Sequence, residues 1–149
     1  SSQSTLHPKL SDTNLIGTFF LTQHFAKYLI RKQTEGNILI ISSETAITSD
    51  IRPYGYTKAA LNSMVEGIAY MLAKLNIRIN AIAPGITASQ MTGRDPNGDI
   101  SSNHNMLGRV YLPEEVAEIA SFLLSDVSSC LTGQILVCNN GKTINARVK

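Results

Sequence analysis

The chain is organised around Pro53-Tyr54-Gly55-Tyr56-Thr57-Lys58-Ala59-Ala60-Leu61. This stretch predicts the opening turns of a long apolar helix. Tyr54 and Lys58 are four residues apart, so they share a helix face, one turn from each other. A phenol with its ordinary pKa near 10 is a poor proton donor or base at neutral pH. A lysine ammonium one turn away favours the phenolate, and the positive end of the helix dipole acts in the same direction. Such a pair suits general acid–base work, typically worth about 10²–10⁴-fold in rate. Taken alone, Tyr-x-x-x-Lys is weak evidence, since many surface helices carry it by chance as an interfacial tyrosine beside a solvated lysine.

The flanks narrow the choice. Upstream, Gly36-Asn37-Ile38-Leu39-Ile40-Ile41-Ser42-Ser43 reads as an apolar strand ending in two serines. Its run from Ile38 to Ile41 has no polar alternation, which predicts a strand buried on both faces of a parallel sheet. Downstream, Ile77-Arg78-Ile79-Asn80-Ala81-Ile82-Ala83-Pro84-Gly85 reads as a second strand ending in Pro-Gly. Between them lies the helix at 54–75, apolar nearly all round through Leu61, Met64, Val65, Ile68 and Leu72. A helix of that kind is covered on more than one side. One side meets the sheet, and the other calls for a second cover, most simply a partner subunit. Strand–helix–strand with so long a crossover is a right-handed parallel unit.

Further out, residues 1–11 are polar and read as a tail. A helix is expected from about 13 to 33. Residues 86–112 hold many turn residues and little periodicity, so they read as a flexible substrate-side loop. Pro113-Glu114-Glu115 opens another helix to about Ser125. A last strand is expected over 134–138, followed by the turn Asn139-Asn140-Gly141.

Composition sets the outer bounds. The 149 residues suffice for one domain, here a single partial one, and their net charge of +2 is too small to argue for nucleic acid or an anionic membrane as partner, so neither is expected. Charged residues make up 16%, below the usual figure of about 25%, as though another chain covered part of the surface. No run of about 18 apolar residues exists to span a membrane. No basic-then-apolar leader opens the chain, so cytoplasmic residence is expected. Cys130 and Cys138 form no metal-ligand pattern, and the three histidines are scattered. Asp95-Pro96-Asn97-Gly98-Asp99 starts like a calcium loop, but Ile100 and Met106 stand where such a loop needs Gly and Glu. No metal site is expected.

Taken in order, Asn14-Leu15-Ile16-Gly17-Thr18-Phe19, the strand ending in Ser42-Ser43, Tyr54-x-x-x-Lys58 and the Pro84-Gly85 strand end resemble the C-terminal half of a short-chain dehydrogenase/reductase. The resemblance runs from about Asp12 to about Gly141. It implies an α/β fold, the C-terminal half of a Rossmann-type doubly wound parallel sheet. It also implies hydride transfer between a nicotinamide, NAD or NADP, and a small-molecule carbonyl or secondary alcohol. By the same resemblance Tyr54 is the acid–base residue, and Lys58 holds the nicotinamide ribose and tunes Tyr54. Ser43 hydrogen-bonds the substrate oxygen, and Asn14 organises a proton-relay water. Pro84, Gly85, Thr87 and Ser89 border the nicotinamide. The members commonly pair through helices equivalent to 13–33 and 54–75, so a homodimer or homotetramer is implied.

Two departures qualify this. Ser43 precedes Tyr54 by eleven residues, about two fewer than the family pattern. Ser42, twelve before Tyr54, is even by the same count, so the choice of Ser43 rests on strand alignment and not on spacing. More seriously, the N-terminal Gly-rich half is missing, since no Gly-x-Gly turn occurs anywhere in the chain to receive a pyrophosphate. The strand at 38–42 is then an apolar edge, a template for aggregation. Two expectations follow. One is an oxidoreductase seen as a fragment that is not active alone. The other is a non-catalytic dimerisation or interaction remnant of such an enzyme.

Overall fold

The structure, a computed structural model, describes residues 8–144. Its elements are α1 (Pro8–Ser11), a π-helical segment (Asp12–Gly17), α2 (Thr18–Lys32), β1 (Gly36–Ile41), α3 (Pro53–Leu72), β2 (Ile77–Pro84), α4 (Pro113–Leu124) and β3 (Ile135–Cys138). The three strands are parallel in the order β1-β2-β3. β1 aligns from Gly36 opposite Ile77 to Ile41 opposite Ile82, and β2 aligns with β3 from Ala81 opposite Ile135 to Pro84 opposite Cys138.

Alternation along the strands builds the layers. Ile38 and Ile40 of β1 and Ile77, Ile79 and Ala81 of β2 point to one face, where Ala26 and Leu29 of α2 and Leu61, Val65, Ala69 and Leu72 of α3 complete the core. Each large side chain fully buried there contributes about 1.5–3 kcal/mol. The opposite face carries polar side chains that reach α4 and the loop after it. Asn37 donates to Leu123 O. Arg78 donates to the carbonyls of Leu123, Ser125, Ser128 and Leu131. These are backbone acceptors left open where α4 ends, so Arg78 closes that helix from the sheet side.

Three expectations change. The segment taken as a tail is helical over residues 8–11, because the helix begins at Pro8, a residue suited to a first turn; residues 1–7 lie outside the described ones. The helix expected over 13–33 is not uniform, since its first five residues belong to a π-turn that begins at Asp12. β1 is not buried on both faces. Ile38 and Ile40 are buried, but Ile41 is half exposed, because β1 stands at the edge of the sheet. β2, between two neighbours, is buried at six of its eight residues, all but Arg78 and Pro84. Elsewhere the boundaries agree closely, with Gln33 and Asn76 in left-handed conformations ending the helical runs before β1 and β2.

The open edge has a definite chemistry. Gly36 N–H donates to Asn76 O, and Ser42 N–H donates to Ile82 O. Even-numbered residues of β1 therefore turn their backbone groups toward β2. Asn37, Leu39 and Ile41 turn theirs outward. One of these outward carbonyls, that of Ile41, accepts a 2.7 Å hydrogen bond from Lys58 Nζ.

Candidate active site

The carboxyl ends of β1 and β2 and the first turn of α3 converge, as ligand sites in open parallel sheets do. Arg52 is extended and Pro53 takes the first helical position, so α3 starts sharply and aims Tyr54 into the crevice. A cavity of about 450 Å³ lies there, lined by Ser43, Tyr54, Pro84, Gly85, Thr87 and Ser89 among others. A second cavity, of about 630 Å³, runs along the outer edge of β1 and includes Asn14, Ile41 and Lys58 in its lining. The sequence-derived residues are thus brought to two adjoining cavities that share Ile41. Ser43, Tyr54 and the Pro84–Ser89 loop border one; Asn14 and Lys58 border the other.

Lys58 lies beside Tyr54. Its Nζ lies 5.7 Å from the centroid of the Tyr54 ring and donates to Ile41 O. Half-burial pushes its ammonium below the ordinary lysine range. One of three N–H donors is committed to Ile41, and two remain.

The serines differ in their partners. Ser42 is buried and donates to Asn62 Oδ1 at 2.6 Å, which ties β1 to α3. Ser43 Oγ accepts from the Thr45 N–H at 3.2 Å and from the Thr45 hydroxyl at 3.0 Å. Both bonds are accepted, so the Ser43 O–H is still a donor for an oxygen placed in the cavity. Asn14 sits in the π-helical segment, a form that recurs at functional sites.

The Pro84–Ser89 loop is held by its own groups. Gly85 N–H donates to Cys138 O at 2.9 Å, and the Thr87 hydroxyl donates to Gly85 O at 3.0 Å. A Cβ on Gly85 would lie 2.6 Å from Cε2 of Tyr111, so only glycine lets that ring close beneath the loop.

Several positioning residues escaped the sequence reading. Asn80, fully buried in mid-strand, donates to Leu131 O and accepts from Gln134 N–H, aligning β3 beside β2. A polar residue inside an otherwise apolar run was the available signal. Glu44, directly after Ser43, is buried and accepts from Lys142 Nζ at 2.7 Å and from Asn139 Nδ2 at 3.3 Å. This pins the serine-bearing loop to the turn after β3, and nothing in the spacing announced it. Among the described residues no group of three His, Cys, Asp or Glu could hold a metal, and no helix is long and apolar enough to cross a membrane.

An open parallel α/β sheet with a hydroxyl-lined crevice at its strand ends defines the Rossmann-like class of fold. Residues 6–143 match the family model described as Enoyl-(Acyl carrier protein) reductase. The chain belongs to this family of short-chain oxidoreductases. A tropinone reductase homolog of Arabidopsis thaliana is 35% identical over 141 residues, which are 91% of this chain and 54% of the relative. Among solved structures, 4-hydroxyisoleucine dehydrogenase complexed with NADH superposes with a TM-score of 0.82 at 26% identity, covering 91% of this chain and 58% of that one. ElxO with NADP bound superposes with a TM-score of 0.84 at 26% identity, covering 95% and 60%. The chain therefore spans little more than half the length of the proteins it resembles.

Proposed function

We propose that this chain is the C-terminal half of an NAD(P)-dependent short-chain oxidoreductase that interconverts a small-molecule carbonyl compound and a secondary alcohol. The carrying observation is the single crevice that gathers Tyr54, Ser43 and the Pro84–Ser89 loop beside Lys58. A bound nicotinamide supplies or accepts the hydride. The described residues fit that end of the cofactor: Pro84, Gly85, Thr87 and Ser89 border the cavity, and Lys58 has two donors free for ribose hydroxyls. They do not fit the pyrophosphate, for which no Gly-x-Gly turn is present.

In this reading Tyr54 gives its proton to the carbonyl oxygen in reduction and takes it back in oxidation. The free O–H of Ser43 donates to the oxygen as charge develops on it. Asn14, at the far side of Lys58, replenishes the proton through water. Cytoplasmic residence and pairing of copies through α2 and α3 belong to the same proposal. The test is Tyr54→Phe in a protein completed with a nucleotide-binding half. Turnover should fall about 10²–10⁴-fold while cofactor still binds; unchanged turnover would sink the reading.

A second reading has its own support. Lys58 is engaged with Ile41 O and the candidate residues face two cavities, as in a remnant kept for association. Titration of the 149-residue chain with NADH and NADPH separates the two. No binding at millimolar concentration favours the interaction remnant for this chain by itself.

A further inference from the structure

Arg52, just before α3, carries chemistry that the proton-transfer residues do not use. Its partner Asp50 is only 8% exposed at the side chain. Asp50 Oδ1 accepts from the Arg52 backbone N–H at 2.9 Å and from Nε–H at 2.8 Å, and Oδ2 accepts from Nη2 at 2.7 Å. A Cβ on Gly55 would fall 2.5–2.8 Å from the Asp50 side-chain atoms, so the missing side chain at the buried Gly55 is what makes room for this carboxylate. The clamp uses the Nε–Nη2 edge of the guanidinium. The other edge, one N–H from Nη2 and one from Nη1, is left: Nη1 bonds to no described residue, and the side chain is 65% exposed.

That edge stands at a junction. Arg52 lines the 450 Å³ cavity together with Ser43 and Tyr54, and it also lines an adjoining cavity of about 280 Å³ whose wall includes Lys142. Among the described residues lining the larger cavity, Arg52 is the only cation, and Glu44 is the only anion. Glu44 is neutralised by Lys142 at 2.7 Å. Asp50 likewise offsets the charge of Arg52, so the attraction is directional rather than a net field. A planar fork with one edge fixed and one edge open matches the two oxygens of a carboxylate.

We propose that Arg52 is a specificity-determining residue whose open edge binds the carboxylate of an oxo or hydroxy acid while the reacting carbon faces Tyr54. This rests on the oxidoreductase reading for the identity of the reacting group. The anion subsite itself is measurable without cofactor or turnover. The 149-residue chain is titrated with 2-oxobutanoate and, separately, with butanone, a neutral ketone of similar size, while backbone amide shifts are followed by NMR. The expected result is saturable binding of 2-oxobutanoate that moves the amides of Ser43, Thr87 and Met91, with butanone at least about fivefold weaker. Arg52→Gln should weaken 2-oxobutanoate by about five- to tenfold with the remaining spectrum unchanged, and Arg52→Lys should recover only part of the loss. Equal affinity in wild type and Arg52→Gln overturns the proposal. So does butanone binding as tightly as the acid, shifts confined to other surfaces, or no binding by the wild type. Tyr54→Phe should keep the acid's binding. Loss of the subsite is therefore read separately from loss of Tyr54-dependent turnover.

Discussion

Ser42 and Ser43 adjoin in sequence and differ in what they can offer a ligand. The hydroxyl of Ser42 is spent on Asn62, whereas Ser43 accepts two bonds from Thr45 and keeps its proton. In the completed enzyme Ser43→Ala is expected to lower kcat by about 10²–10³-fold with little change in melting temperature. Ser42→Ala should instead cost about 1–3 kcal/mol of stability, because Asn62 loses its partner in a part-buried site. Steady-state kinetics and chemical denaturation of both variants check this; reversed effects would reassign the two serines. Gly85→Ala at the same scale must push back the Tyr111 ring. An unfolding free energy lowered by about 1–3 kcal/mol in chemical denaturation is expected. Counting along the chain does not separate Ser42 from Ser43, because their difference lies in partners 2 and 20 residues away.

At the scale of elements, α4 shows local grammar completed by a distant-looking charge. Glu115 at its third position accepts from the Leu112 N–H at 2.7 Å and makes a two-pronged pair with Arg109. Those partners hold the Glu115 carboxyl well below the usual carboxylate range, at about 2, against an ordinary value of 4.5. A depressed acid stabilises the fold fully above its unfolded value and loses that contribution as pH falls toward its folded one. Acid destabilisation through this helix start is thus expected between pH 4.5 and about 2. With Glu115 40% exposed, the amount is on the order of 1 kcal/mol. Thermal melts across that range should show a shallower acid limb for Glu115→Gln than for wild type. Pro113 and the acidic first turn made this helix legible in advance. The π-turn around Asn14 was not, since a widened turn leaves the same residue types in the same order.

The whole molecule is governed by what it leaves uncovered. β1 presents the outward groups of Asn37, Leu39 and Ile41 along one edge, with Lys58 guarding the last carbonyl. On the other side of α2, an apolar groove of about 450 Å³ runs between α2 and α3, lined by Leu15, Ile16, Phe19, Met64, Gly67 and Ile68. For the proposed pairing of copies through this groove Gly67 is a clean probe, because nothing lies within 4 Å of a Cβ placed there. Gly67→Glu should leave the monomer as stable or raise it by about 0.5 kcal/mol through helix propensity. It should also put a charge into the paired face and shift sedimentation from dimer to monomer. An unchanged sedimentation profile in a folded variant would remove this surface from the assembly.

By itself the sequence determined the α/β class, the order of strand, helix and strand, the parallel crossover, and the Tyr54–Lys58 spacing, with element boundaries within a few residues. These rest on apolar periodicity, helix-starting prolines and turn residues, all of which act over one or two turns of chain. Only the tertiary structure decided that Lys58 turns to Ile41 O and that the candidate residues divide between two cavities. It alone joined Asp50 to Arg52 over Gly55, and Glu44 to Lys142 across 98 residues. Such contacts depend on side-chain direction and on which strands lie side by side, and no local pattern encodes either.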